Sequence, residues 1–175
     1  MSLMTHAEQT EETRRTMTGY LEERTSKALG SDSQERGRKV WERWFHPELH
    51  YYVYGSFPTA GYYYSRDEAM EKFQQPALGL MKTGKMELDE LIVDGNKAVV
   101  RYHLDGTTAI GLPYNQNYCF IYKVEDGKIT EIREFLDTEL VHTAVYGMDN
   151  PCAQGHTCKA AVAEAQRSSE RSGPA

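Results

Sequence analysis

The stretch from Asn96 to Thr138 restricts the fold more than any other part of this chain. Three runs, Lys97 to Leu104, Tyr114 to Val124 and Lys128 to Leu136, are rich in Val, Ile, Tyr and Phe and are separated by turn residues. β-Branched and aromatic side chains suit the half-buried, pleated surface of a sheet, so these runs predict consecutive antiparallel strands. Asp126-Gly127 falls between the second and third. Gly accepts the positive φ of a primed turn, and the pair predicts a tight hairpin.

Upstream, Met86 to Val93 adds a strand turned by Asp94-Gly95-Asn96. Residues 7 to 29 are polar, with sparse apolar positions at Met17, Tyr20, Leu21 and Leu29, which suits one long surface helix or two short ones. Ser31-Asp32-Ser33 followed by Glu35 supplies a cap and acidic first turn for a second helix, from Ser33 to Phe45, whose apolar face carries Val40, Trp41, Trp44 and Phe45. Pro47 is expected to close it, with Leu49 to Tyr54 a short strand before the loop from Gly55 to Gly61. Ser65 is the expected cap of a helix from Arg66 to about Leu80. Helices, a short strand, a helix and then a four-strand meander give the α+β class, with helices segregated from an antiparallel sheet.

With 175 residues, 39% of them hydrophobic, the chain is about one domain long. Residues 1–148 are read as that domain and 149–175, small and polar, as a flexible tail. Lys plus Arg number 20 against 26 Asp plus Glu, with no basic run, so neither nucleic acid nor an anionic membrane is an expected partner. No apolar stretch approaches a membrane span and the N-terminus is too polar for a secretory leader, so the expected location is cytoplasmic. Cys152, His156 and Cys158 offer fewer ligands than a structural zinc site takes, and no metal is expected. Nucleotide-binding glycine patterns, a Gly-x-Ser-x-Gly elbow and His-x-x-x-His are all missing, so no cofactor is implied.

The hairpin from Tyr118 to Ile129, continued by Glu131-Ile132-Arg133-Glu134-Phe135-Leu136-Asp137-Thr138-Glu139-Leu140, resembles the last hairpin of SnoaL-like proteins, in the superfamily of nuclear transport factor 2 and ketosteroid isomerase. Ala60-Gly61-Tyr62-Tyr63-Tyr64-Ser65-Arg66-Asp67-Glu68-Ala69 is similar to that family's Ala-Gly-x-Tyr-x-Gly-Arg-Asp-Ala turn into a helix, with Ser65 in place of Gly. The resemblance implies a cone: a strongly curved antiparallel sheet wrapped around the N-terminal helices, with a pocket open at one end. It implies a small hydrophobic ligand, cyclic or polyketide-like, and proton-transfer chemistry of the isomerase, cyclase or hydrolase type without a cofactor. A non-catalytic module that binds a ligand or a protein is the other reading. Relatives dimerise through the outer sheet face, and a homodimer is expected.

A polar group aimed into an apolar cavity acquires a shifted pKa, which makes a carboxyl useful as acid or base. Asp137, at a position where some SnoaL-like enzymes carry such an aspartate, is the first candidate for catalytic acid or base. It shares face parity with Phe135, Arg133 and Ile129; the alternative is a cap for the segment from Thr138 to Val145. Glu134 has the opposite parity, with Ile132 and Leu136, so at most one of the two points into the cone if the strand is regular. Its bland reading is an ion pair with Arg133, Arg101 or Lys123. Tyr118 is the candidate donor to a developing oxyanion, as in ketosteroid isomerase. Trp44, Tyr54, Tyr63, Tyr102 and Phe135 are candidate walls, core packing being the alternative. His103 falls with Arg101 and Asp105 on the polar face of its strand, toward solvent or a second subunit; Arg101-Tyr102-His103 also lacks the Arg-x-Asp of limonene epoxide hydrolase.

Overall fold

A computed structural model describes residues 4–29 and 32–148. The expected tail, with Cys152, His156 and Cys158, lies outside the described residues. Helix α1 (His6–Thr25) starts in a capping box, in which the Thr5 hydroxyl and the Glu8 carboxylate each accept from the other's backbone N–H. Thr13, Thr16, Met17, Tyr20 and Leu21 form its buried stripe. Helix α2 (Ser33–Trp44) buries Val40 and Trp41 and leaves the Asp32–Arg36 and Glu35–Lys39 ion pairs on its outer side.

Strands β1 (Phe45–Val53), β2 (Gly61–Tyr63), β3 (Met81–Asp94), β4 (Lys97–Thr108), β5 (Pro113–Glu125) and β6 (Lys128–Leu136) form one unclosed, curved sheet in the order β2-β1-β6-β5-β4-β3. The meander β3 to β6 is antiparallel throughout, and β1 pairs parallel with β6. Register shifts in β1, β3 and at the β5–β6 junction add local twist and let the sheet curl over α1 and α2. Asp126 and Gly127 adopt φ of 50° and 68°, the left-handed pair that the Asp-Gly hairpin requires. Rings of Tyr102, Phe120 and Tyr122 stack along the inner face at 5.1 and 5.6 Å, and Tyr20 from α1 meets the last edge-on at 5.9 Å.

Several boundaries differ from those the sequence suggests, among them the start of β3, at Met81 rather than Met86. The chain passes straight from α2 into β1 at Phe45, and Pro47 lies inside the strand. It falls where the pairing with β6 jumps from Phe45–Ile129 to His50–Glu131, so no ladder bond needs its missing N–H. Strand β2 was not legible because a three-residue run shows no alternation. The helix capped by Ser65 comprises α3 (Arg66–Ala69), a π-helical turn (Met70–Gln74) and α4 (Gln75–Gly79). After β6 comes the short α5 (Thr138–Leu140) and a second π turn, Val141–Val145.

Gly84 and Gly106 face each other across β3 and β4. The bare Gly84 backbone admits the Leu29 side chain, and the Leu29 N–H donates to the Gly84 carbonyl at 2.6 Å. A Cβ on Gly106 would lie 2.4 Å from the Thr83 carbonyl oxygen, a backbone atom that cannot rotate away. Gly106→Ala is therefore expected to cost on the order of 2 kcal/mol, read as a lower urea midpoint with an unchanged slope. A midpoint equal to that of the parent chain would contradict this packing.

Candidate active site

Between the inner face of β3 to β6 and the two π-turn helices lies a cavity of about 110 Å³. Phe73, Met86, Leu104, Leu136 and Val141 supply much of its apolar wall, and Glu134 and Arg24 are its charged members. Each π turn contributes wall residues, Phe73 from the first and Val141 and Val145 from the second, and π turns recur at functional positions in helices.

A bulge in β6 aims Glu134 inward. Val124 pairs with Ile129 and Lys123 with Glu131, so Thr130 is the extra residue. Ile129 faces in, the alternation resets, and Ile132 and Glu134 follow on the buried side while Arg133 and Phe135 turn outward. Glu134 is 4% exposed. Tyr51, buried on the neighbouring strand β1, donates its hydroxyl to the Glu134 carboxylate. Burial pushes the Glu134 pKa up to about 7, against the lowering influence of the Tyr51 hydrogen bond and the Arg24 charge. Burial and the neighbouring Glu134 carboxylate hold the Tyr51 phenol well above its ordinary value.

Arg24 continues the buried stripe of α1 one turn beyond Tyr20 and Leu21. It donates to the Tyr102 hydroxyl at 3.1 Å and lies over the Tyr20 and Tyr102 rings, 5.9 and 5.7 Å from their centres. The Tyr118 and Tyr114 hydroxyls are 3.2 Å apart at the cavity wall. Gln116, fully buried, donates to the Asp137 carbonyl at 2.9 Å and accepts from the Asp137 N–H at 3.0 Å, which ties the start of the closing helix to β5.

Of the candidate catalytic and wall residues the structure brings Tyr118 to the cavity surface, and of the pair Glu134 and Asp137 it is Glu134 that points in. Asp137 is exposed and its carboxylate caps α5, accepting from the Glu139 and Leu140 N–H groups at 3.0 and 3.1 Å. Phe135 lies on the outer face, 41% exposed and stacked on Tyr54 at 4.8 Å, so neither is a cavity wall. Trp44 packs over Gly19 and donates its indole N–H to Glu23 at 2.8 Å, away from the cavity. Tyr63 donates to the Thr59 carbonyl at 2.7 Å and stands behind Phe73, while Tyr102 backs Tyr118 at 5.1 Å. The ion pair expected of Glu134 is not made: Arg133, Arg101 and Lys123 pair instead with Glu131, Glu90 and Glu125. His103 meets Asp89 at 2.8 Å, a hydrogen bond that raises its pKa, on the outer face where its strand parity put it.

Arg24, Tyr51 and Gln116 were missed. A cation at helical spacing from Met17, Tyr20 and Leu21 was the available signal for the first, and alternation with Leu49 and Val53 for the second. Among the described residues no group of three or more His, Cys, Asp or Glu is placed to hold a metal, and no helix is long and apolar enough to cross a membrane.

Comparison with known proteins places this geometry in context. Residues 33–132 match the model of the SnoaL-like domain. No curated protein matches the chain. Among solved structures, a protein provisionally named a SnoaL-like polyketide cyclase from Jannaschia sp. CCS1 superposes with a TM-score of 0.65 at 17% identity, covering 84% of this chain and 100% of that one. An NTF2-like protein from Burkholderia xenovorans LB400 gives 0.58 at 18% identity over 78% and 97% of the two chains. TerC co-crystallised with polyporic acid gives 0.62 at 14% identity over 77% and 98%. At these identities the likeness is one of fold.

The Glu134 environment has a consequence for stability. The folded protein holds this proton more tightly than the unfolded chain, so stability is greatest below the unfolded pKa of 4.5, falls as pH rises to about 7, and stays lowered above. The interval corresponds to about 3 kcal/mol. Glu134→Gln removes the titration while keeping an acceptor for Tyr51. Its stability relative to the parent should improve by up to about 3 kcal/mol between about pH 5 and about pH 8, measured by urea unfolding. Parallel curves across that range would contradict the burial of an ionisable carboxyl here.

Proposed function

We propose, from the premise that the chain belongs to the SnoaL-like domain family, that its inner cavity binds a small apolar carbonyl compound and that Glu134 transfers a proton on it. The observation that carries this reading is a buried carboxyl facing an apolar cavity beside a phenol hydroxyl, a burial that pushes its pKa up to about 7. Near neutral pH such a group is present in both forms, and the same residue can take a proton and return it. The ionised Glu134 takes the proton from the carbon next to the carbonyl, and the Tyr118 hydroxyl donates to the oxygen on which charge develops. With a β,γ-unsaturated ketone Glu134 then delivers its proton to the γ-carbon of the dienolate, which moves the double bond into conjugation; with a second carbonyl in the ligand the enolate carbon attacks it and Glu134 protonates the alkoxide that forms, which closes a ring. Tyr51 is a positioning residue that fixes the carboxylate plane.

The cavity is close to the size that accepts a single ring, since a cavity of about 150 Å³ takes up benzene. A relative crystallised with polyporic acid and another provisionally named a polyketide cyclase support a cyclic or polyketide-like ligand. Asp137 has no part in this mechanism, because its carboxylate is committed to α5 on the surface. A second copy of the chain is the proposed occupant of the outer sheet face, where Tyr62, Tyr64 and Phe135 are exposed alongside Tyr52 and Arg133.

The first test is exchange of the α-hydrogens of cyclopentanone in deuterium oxide, followed by proton NMR. The native protein is expected to accelerate exchange, Glu134→Gln to lower the acceleration at least about 100-fold, and Asp137→Asn to leave it unchanged. Full exchange in the Glu134 variant would remove that residue from the chemistry. Light scattering is expected to return twice the 20.0 kDa chain mass, and a monomer mass at micromolar concentration would contradict the proposed self-association.

A further inference from the structure

The half-buried guanidinium of Arg24 is underused by the protein around it. Arginine carries five N–H donors in a planar fork. Among the described residues its one hydrogen bond goes to the Tyr102 hydroxyl, no carboxylate lies within ion-pair distance, and its buried Nε–H has no partner. A cation removed from water without an anion is costly, and folded proteins normally supply a partner. Glu134 faces the same cavity but does not close an ion pair with it, and its own proton is retained until about pH 7.

Arg24 also borders a second space of about 60 Å³ on the α1–α2 side. This space shares Leu29, Leu78, Met86 and Arg24 with the main cavity, so these four side chains are a common wall between two openings. Lys27, Arg36 and Glu23 line the second opening, the Glu23 carboxylate being taken by the Arg43 guanidinium at 3.2 Å and the Trp44 indole N–H at 2.8 Å. Arg36 is occupied by Asp32, at 2.7 Å, and by the Ala28 carbonyl at 3.0 Å, whereas Lys27 is exposed. An anionic group seated against Arg24 would meet the free edge of the guanidinium on one side and the exposed Lys27 charge on the other.

We infer that the natural ligand carries a carboxylate, that Arg24 is its anchor, and that the apolar body of the ligand lies in the main cavity toward Glu134. This rests on the reading of the cavity as a binding site. The charge on Arg24 orients the ligand, because only the acid end gains from the fork. Lys27 draws the anion toward the second opening without touching it in the bound position.

The test is isothermal titration of phenylacetate and phenylacetamide, which share a ring and differ in charge, into the native full-length chain at neutral pH. The acid is expected to bind at least about tenfold more tightly than the amide. Arg24→Gln should abolish that preference while retaining amide binding. Should that variant fail to fold, Lys27→Glu, on the exposed rim, should weaken the acid several-fold and leave the amide unchanged. Equal binding of acid and amide to the native chain overturns the anion anchor and leaves the cavity as a binding site. A preference that survives Arg24→Gln, or one indifferent to Lys27→Glu, also overturns it. Binding of neither probe defeats the cavity reading itself.

Discussion

Keeping the Glu134 carboxyl out of water is the constraint around which the inner side of this molecule is arranged. Desolvation raises its pKa, and only a hydrogen-bond donor already buried beside it keeps the ionised form accessible. Tyr51 supplies that donor from β1, and it is in range only because β1 pairs parallel with β6, with Val53 opposite Glu134 and Tyr51 opposite Ile132. The parallel pair is thus more than a way of extending the sheet. It assembles an acid and its positioning phenol from strands more than eighty residues apart.

The cavity wall is assembled in the same way from weakly regular pieces. Two π turns and the bare Gly84 that admits Leu29 depart from well-packed helix and strand geometry, while Gln116 ties the closing helix at Asp137 to β5. These departures cost stability and open a space that a fully packed core would fill. The same holds for Glu134, which lowers stability at the pH where its two protonation states coexist. The fold trades some packing and electrostatic stability for an apolar space bordered by the Glu134 carboxyl, the paired Tyr114 and Tyr118 hydroxyls and the Arg24 cation.

Much of the fold was legible because its signals are local. The meander follows from runs of β-branched and aromatic residues, the final hairpin from Asp126-Gly127, and α2 from its apolar face. The site was less so, and the reason is one residue. With strict alternation, Asp137 shares the face of Ile129; the extra residue Thr130 resets the pattern, so the inward series is Ile129, Ile132 and Glu134. Alternation from Ile132 onward was correctly read, yet a bulge is set by the partner strand and leaves little mark in its own sequence. Long-range partners were hidden for a like reason. Tyr51 for Glu134 and Arg24 for Tyr102 depend on sheet order and on the seat of α1, neither of which a single strand or helix encodes.

The most direct measurement is a carbon-13 NMR titration of the Glu134 side-chain carboxyl, assigned by comparison with Glu134→Gln. The account requires a midpoint of about 7, with the Tyr51→Phe variant titrating higher still because a hydrogen bond to the ionised form has been removed. A midpoint near the ordinary value of about 4.3 would mean that the carboxyl is solvated, and the proposed acid–base role would go with it.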